Sequence, residues 1–334
     1  MNNFGNLFRV QIFGESHGAK VGVVIDGCIA GIPLSEDSFT EDLQRRMPGM
    51  TGTTPRKEDD IPQIVSGVFE GKTTGAPICI LFENNNTRSR DYEKQKDIPR
   101  PGHADFVLQQ KYNHYNDYRG GGHSSGRLTV ALVAAGVVAK KMLQHYVPLL
   151  HIQAQLIAAG GNTDIEAAIA KAIAEQDSIG GIVSCSVTGL PVGWGEPFFN
   201  SVESLISHAV FAIPAVKGIA FGSGFDAAYM SGSEHNDSII DAKGTTATNH
   251  SGGINGGITN GNELFFKVAV KPTSSTPKPQ LSWNIQSQQV TPFQVKGRHD
   301  LCIALRVPVV VEAVTAIVLS DLCAIQHAYR FNKS

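Results

Sequence analysis

The chain has 334 residues, of which 42% are hydrophobic and 17% charged, with a formal net charge of -2. This composition can bury a sizeable core and excludes a disordered chain. The near-neutral charge balance, with no basic run, argues against nucleic-acid and membrane-surface partners.

Leu7 to Phe13 and Lys20 to Asp26 read as strands flanking Gly14-Glu15-Ser16-His17-Gly18, a pattern that predicts a hairpin. Ser35 to Met47 reads as a helix, with Ser35 as N-cap and Pro48-Gly49 as the stop. Ile61 to Phe69 and Ala76 to Glu83 read as strands, with Gly71 to Gly75 as the turn between them. Asn84 to Arg100 is polar and reads as loop, and Ala104 to Tyr112 as a short helix. Arg127 to Leu143 carries the strongest helical pattern, and Ser124 or Ser125 can cap its first amides. Beyond it come a strand over Leu149 to Leu156, a helix over Asp164 to Gln176 and a strand over Gly181 to Thr188. A helix over Val202 to Phe211 and a strand from Gly218 follow. Thr245 to Gly261 is a long Gly/Asn/Ser loop of the kind that is usually functional. Glu263 to Val270 alternates as a strand, Lys278 to Phe293 reads as a polar surface excursion, and Val309 to Gln326 as a closing helix. The order predicts an α+β fold of two pseudo-repeated halves in a single domain, residues 1–334, rather than a regular βαβ sheet.

The longest apolar stretch, Val307 to Leu319, contains Pro308 and Glu312 and falls short of the roughly 20 residues that span a bilayer. Five scattered cysteines (Cys28, Cys79, Cys185, Cys302, Cys323) without a Cys-x-x-Cys pair, and no signal-peptide pattern, point to reduced thiols and a cytoplasmic protein. The low charged fraction suggests that part of the surface meets other subunits.

Gly14 to Gly18 also matches G-x-S-x-G, which raises a serine hydrolase as an alternative. That motif needs a helix after the turn, and the next segment reads as a strand. The stretch Arg119-Gly120-Gly121-Gly122-His123-Ser124-Ser125-Gly126-Arg127 is the most informative. Its glycines allow close backbone approach, the following helix start attracts anions, and two arginines add fork-shaped positive charge. Arg100-Pro101-Gly102-His103-Ala104-Asp105 places a histidine on a tight turn, and Lys271-Pro272-Thr273-Ser274-Ser275 offers a phosphate contact. Arg45, Arg46 and Arg56 flank the first helix, where a solvated helix end is the simpler reading. His17, His103, His123 and His299 lack the spacing of helix-borne zinc ligands, so no metal site is expected. These residues describe a site for a phosphorylated, carboxylate-bearing small molecule. Rossmann and Walker patterns are absent.

Six motifs stand in the order found in chorismate synthases: Gly14 to Gly18, Arg100 to Asp105, Arg119 to Arg127, Asn249-His250-Ser251-Gly252-Gly253, Lys271 to Ser275 and Gly297-Arg298-His299-Asp300. The chain resembles that family from about Gly5 to about Asp321. The resemblance implies a β-α-β sandwich, a homotetramer, and a carbon–oxygen lyase of the shikimate pathway of aromatic amino acid biosynthesis. The implied reaction converts 5-enolpyruvylshikimate 3-phosphate to chorismate and phosphate by anti 1,4-elimination. Reduced FMN is required without net redox change, and NADPH (the NADP system) acts only indirectly, through an external flavin reductant. The resemblance carries over roles residue by residue. Arg46, Arg56, Arg127 and Arg298 match the contacts to substrate anions. His17 matches the acid for the departing phosphate, His103 the group that manages the proton on flavin N1, and Asp300 the proton acceptor at N5. Ser16 and Ser125 match relay hydroxyls. The flavin contacts map to His123, Ser124, Ser125, Ala215, Gly256, Lys271, Thr273, Ser274, Ser275 and Arg298. Three positions depart from the family pattern: His123 stands where arginine is usual, Leu301 where proline is usual, and an arginine near Met50 is missing. A non-catalytic flavin- or phospholigand-binding homologue is the alternative reading.

Overall fold

The computed structural model describes residues 2–54, 59–85, 96–295 and 299–329. Two antiparallel sheets enclose two long helices. The first sheet takes the order β1 (Asn3–Phe4), β2 (Arg9–Gly14), β3 (Lys20–Asp26), β7 (Ile78–Glu83), β4 (Gln63–Ser66). Between β4 and β7 lies a small hairpin, β5 (Val68–Phe69) and β6 (Lys72–Thr73), which turns at Glu70 and Gly71, both at positive φ. The second sheet takes the order β10 (Val216–Phe221), β13 (Leu264–Val270), β9 (Gly181–Thr188), β8 (His151–Ala159). Along β13 every second residue is buried, as expected for a strand with one face on the core.

Helix α3 (Thr129–Tyr146) packs on β3 and β7, and α7 (Val307–Tyr329) packs on β8 and β9. The two helices then pack on each other, which makes the sheet–helix–sheet sandwich that the family resemblance implies. Both are mostly apolar around their circumference, with Val130 to Ala139 and Val309 to Cys323 buried, as a central layer requires, and the buried Glu312, Thr315, Ser320 and Asp321 of α7 are hydrogen-bonded. Gly136 permits the close approach: a Cβ there would lie 2.3 Å from Ala313 Cβ. The α7 segment is long and apolar enough to cross a membrane, but 78% of its most apolar window is buried in the protein. It starts at Val307, two residues earlier than the sequence reading, because Pro308 falls in the first turn, where no N–H is needed.

Helix α1 (Thr40–Arg46) follows a short 3-10 turn over Glu36–Phe39 capped by Ser35. Arg45 on α1 is not a solvated helix end. It donates 2.8 and 2.6 Å bonds to the buried Glu312 carboxylate of α7, which also accepts from Lys140 of α3 and the Ala154 amide of β8. Burial favours the neutral acid, but the Arg45 and Lys140 bonds win and lower the Glu312 pKa. Around the layers lie α2 (Asp105–Lys111), α4 (Ile165–Glu175), α5 (Val202–Val210) and α6 (Gly232–His235). Two readings of loop change. Thr245 to Gly261 contains the hairpin β11 (Ile254–Asn255) and β12 (Ile258–Thr259), and Lys278 to Phe293 is itself a hairpin, β14 (Gln280–Asn284) and β15 (Gln289–Phe293).

Candidate active site

The segment Gly14 to Gly18 joins antiparallel strands β2 and β3. A strand therefore follows the turn, and the context of a hydrolase nucleophile is absent. The turn is fastened to the Gly-rich stretch by the Ser16 amide, which donates to Gly122 O at 3.0 Å. Gly120, Gly121 and Gly122 hold φ values of 60°, 86° and 53°, all in the left-handed region. A Cβ at Gly120 would sit 2.8 Å from His17 Cδ2 and 2.8 Å from Ser16 Oγ, and one at Gly121 would sit 3.2 Å from His103 Cε1. Gly120 and Gly121 thus make a side-chain-free platform against which Ser16 and both histidines rest, while Gly122 lies against Asp117. The stretch then runs through a 3-10 turn over Gly126–Leu128, with Ser125 Oγ accepting from the Arg127 amide, before α3 begins. Arg119 is spent on Asp117, with two 2.8 Å bonds, so the sequence reading of it as an anion contact is corrected.

A cavity of about 440 Å³ opens beside this platform. On one side stand Arg46 and Arg127, whose side chains are 3% and 5% exposed. Between them lies Asp60, which accepts from Arg46 Nη1 at 2.8 Å and from Arg127 Nη1. Arg306 completes the group. It donates to Arg46 O at 2.8 Å and pairs with Asp300 Oδ2 at 3.2 Å, while Asp300 Oδ1 accepts from the Thr54 amide at 2.9 Å. Burial lowers the Arg46 pKa; Asp60 is the largest opposing influence, and Arg306 and Arg127 add to the fall. Three guanidiniums face two carboxylates here, which leaves one positive charge over among the described residues.

The opposite side carries His103 and the loop after β13. His103 Nδ1 lies 2.7 Å from Asp105 Oδ1, and Asp105 also accepts 2.7 and 2.9 Å bonds from Arg100. Two further donors, Arg100 Nη2 at 3.1 Å and the Asp105 amide at 3.2 Å, approach the same nitrogen. The carboxylate contact is the shortest and is charge-assisted, so we assign the proton to Nδ1. Burial alone would raise the Asp105 pKa, but the bonds from Arg100 and His103 hold it well below the usual carboxylate range. Lys271 Nζ donates to Gly102 O at 2.6 Å and Ser274 Oγ at 2.9 Å, both uncharged, so its positive charge stays available. Desolvation and the nearby Lys217 lower its pKa. Thr273 Oγ1 is buried without a hydrogen-bond partner among the described residues, and Ser275 Oγ accepts from Arg100 at 3.1 Å. An unspent ammonium, an orphaned hydroxyl and two serines form a donor set that fits a phosphate. Ile213, Pro214, Ile303 and Val310 add apolar walls, which suit a planar ring system. The cavity therefore fits FMN by chemistry as well as by size.

Of the residues expected from sequence, Ser16, His103, Ser124, Ser125, Arg46, Arg127 and Asp300 line this one cavity. So do Ala215, Lys271, Thr273, Ser274 and Ser275. Ala215 holds φ at +73°, a conformation that costs a residue with a Cβ roughly 1–2 kcal/mol, and its carbonyl accepts from the Lys271 amide at 2.9 Å. His17 is 7% exposed and packs beneath Gly120, behind the lining. Two of the expected flavin contacts are not among the residues that line this cavity. His123 turns away from the cavity, and its Nδ1 bonds Gly14 O at 2.7 Å, a contact that requires the proton on Nδ1. Gly256 sits at the tip of the β11–β12 hairpin, outside the lining. Arg56 and Arg298 lie outside the described residues. Sequence reasoning missed Asp60, Arg306 and Thr54. Arg306 is a charge inside an otherwise apolar run, which is the signal that could have found it.

The family model for chorismate synthase matches residues 8–324. The chain belongs to the chorismate synthase family. A chorismate synthase of Chitinophaga pinensis is 65% identical over 326 residues, covering 98% of this chain and 97% of its own. One of Methanocaldococcus jannaschii is 42% identical over 364 residues, covering 96% of each. A crystal structure of a chorismate synthase superposes with a TM-score of 0.74 at 25% identity, covering 97% of this chain and 93% of its own. The β-α-β sandwich is thus the fold of a chorismate synthase, and five of the six motifs that carried the resemblance contribute residues to one cavity, the exception being Asn249 to Gly253.

Proposed function

We propose that the chain, working as one catalytic domain, converts 5-enolpyruvylshikimate 3-phosphate to chorismate and phosphate. The observation that carries this reading is the meeting of two anion sites on one cavity: Arg46, Arg127 and Arg306 on one side, Lys271 and Thr273 to Ser275 on the other. The arginine side suits the substrate, which carries two carboxylates and a phosphate. The Lys271 side suits the phosphate of FMN. In the anti 1,4-elimination the C3–O bond breaks and phosphate leaves. A proton leaves C6, and its electron pair enters the new double bond. Reduced FMN, when bound, supplies and recovers an electron during C–O cleavage, chemistry that side chains cannot perform.

The chain's own residues bind, orient and move protons. His17 protonates the departing phosphate as a general acid. Ser16, against the same Gly120 platform, relays that proton. His103 holds a proton whose placement is fixed by Asp105. Asp300, steadied by Arg306 and the Thr54 amide, accepts a proton, with Ser125 as a second relay. His123 lies outside the lining, but Lys271, Thr273, Ser274 and Ser275 still supply the donors for a flavin phosphate. That weakens the non-catalytic alternative.

We place the enzyme in the cytoplasm as a homotetramer, with an external reductant supplying the flavin. Phe198, Phe199 and Tyr229 are 86%, 93% and 90% exposed, which is more aromatic surface than a monomer usually shows. Light scattering of the purified protein tests the assembly. The activity is tested by supplying substrate and reduced FMN without oxygen and measuring phosphate. Absence of phosphate release by protein with bound flavin would sink the assignment.

A further inference from the structure

Asp60 has no role in the assignments above, yet the site is built around it. Its side chain is 1% exposed, and its backbone adopts φ +46°, which turns the chain inward at that residue. One carboxylate oxygen takes Arg46 Nη1 and the other takes Arg127 Nη1. The remaining contacts of the two arginines are equally defined. Arg46 gives Nε to Thr129 Oγ1 at 3.1 Å and Nη2 to Arg127 O at 3.2 Å. Arg127 gives Nε to Asn84 Oδ1 at 2.9 Å and Nη2 to Glu83 O at 3.0 Å. A guanidinium has five N–H donors. Three on each are taken by these bonds, so two remain on each arginine, one per terminal nitrogen.

We propose that Asp60 is a positioning residue for substrate binding: its carboxylate holds the Arg46 and Arg127 guanidiniums side by side as a double fork for one anionic group. This inference rests on the reading that Arg46 and Arg127 bind the substrate's anions. Two observations support it. Adjacent buried guanidiniums repel, and a carboxylate bonded to both offsets that repulsion while fixing their separation. Simple neutralisation would also place one carboxylate on each arginine, whereas here one is shared and positive charge is left over beside the cavity. Asp300 is the other carboxylate near Arg46, and its ion-pair partner is Arg306.

The test is steady-state kinetics of the full chain with reduced FMN, without oxygen, on Asp60→Asn, Arg127→Gln and the double variant. Asn keeps the volume and one acceptor but loses the charge and the second acceptor. Asp60→Asn is expected to raise KM for the substrate by about tenfold or more, with kcat within roughly threefold and FMN affinity within roughly twofold. A merely structural role would lower the melting temperature and leave KM alone. In the double variant KM should exceed that of Arg127→Gln, but by a smaller factor than Asp60→Asn raises it in the wild type, because Asp60 acts through Arg46 as well as through Arg127. If Arg127→Gln raises KM and Asp60→Asn does not, the inference fails while the anion reading stands. If neither raises KM, the anion reading fails and the inference falls with it. Should Asp60→Asn not fold alone, the double variant removes the charges as a pair, and a KM no higher than that of Arg127→Gln overturns the proposal, because Asp60 would then not be positioning Arg46.

Discussion

His103 Nδ1 lies 2.7 Å from Asp105 Oδ1, and this contact decides which edge of the imidazole meets the Gly-rich platform. Asp105 is anchored in turn by Arg100, so Arg100, Asp105 and His103 act as one unit across the turn Arg100 to Asp105. Asp105→Asn keeps the shape but turns an acceptor into a donor facing a donor. We predict a fall in kcat of about 10²-fold, within the usual range for a misplaced acid–base group. FMN affinity, measured by fluorescence titration, should change much less. Equal losses in both would mean that the carboxylate holds the flavin pocket rather than the histidine.

Gly120→Ala tests the platform. The added methyl would approach His17 and Ser16 to 2.8 Å, at a φ of +60° that side chains rarely adopt. Ser16 on the cavity wall and His17 behind it would both have to move. We expect a folded protein that loses most of its phosphate release, by about 10²-fold or more. Gly256→Ala is the matched control, with a similar φ of +59° and nothing within 4 Å of the new carbon. Activity lost equally in both variants would show that backbone strain, not displacement of the pair, is responsible.

Much of the frame could be read from sequence where one physical rule dominates. β3 and β9 were placed to the residue because continuous apolar strands between polar turns have few alternative readings. The β14–β15 hairpin was missed because its strands are short and largely exposed, with Leu281 and Trp283 of β14 facing outward, and because β15 contains Pro292. At the site, residues on glycine-marked turns were found, since glycine is needed for the turn itself. Asp60 was not, because its meaning arises only in three dimensions: its partners lie 14 and 67 residues away on α1 and the turn before α3. The opposite error befell Arg119 and His123. Both sit in the most informative stretch, but Arg119 bonds Asp117 two residues away and His123 bonds Gly14 O on the neighbouring turn, 109 residues away in sequence.

Asp237 gives a prediction in pH. Burial raises its pKa, but amide bonds from Ser251 and His250 and the Thr248 hydroxyl lower it to about 2. A depressed carboxylate stabilises the fold fully above its unfolded value of about 3.9 and loses that contribution as pH falls through the folded value. The loop from Thr248 to Gly253 should therefore hold at about pH 5 and loosen between about pH 4 and 2. Melting curves of wild type and Asp237→Asn should differ at neutral pH and converge towards pH 2. A constant difference down to that pH would exclude Asp237 as the titrating group.

Asp321 joins the two ends of the chain. Its carboxylate, on α7, accepts from the amides of Asn6, Leu7 and Phe8 at 2.7 to 3.0 Å, and from Asn6 Nδ2 at 3.0 Å. These amides precede β2 and have no ladder partner in the first sheet; Phe8 itself is fully buried. Asp321→Ala would strip three backbone donors of their shared acceptor, at about 1–3 kcal/mol for each that water cannot reach. Phe8 is sealed and Asn6 is not, so we expect a total loss of roughly 3–4 kcal/mol in denaturant unfolding. Asp321→Asn, which keeps one acceptor, should lose about half as much. Activity per folded molecule should persist, because this clamp lies at the opposite end of β2 from Gly14, where the strand hands over to Ser16 and His17. A variant that stays fully stable but turns over slowly would place Asp321 in the catalytic path instead.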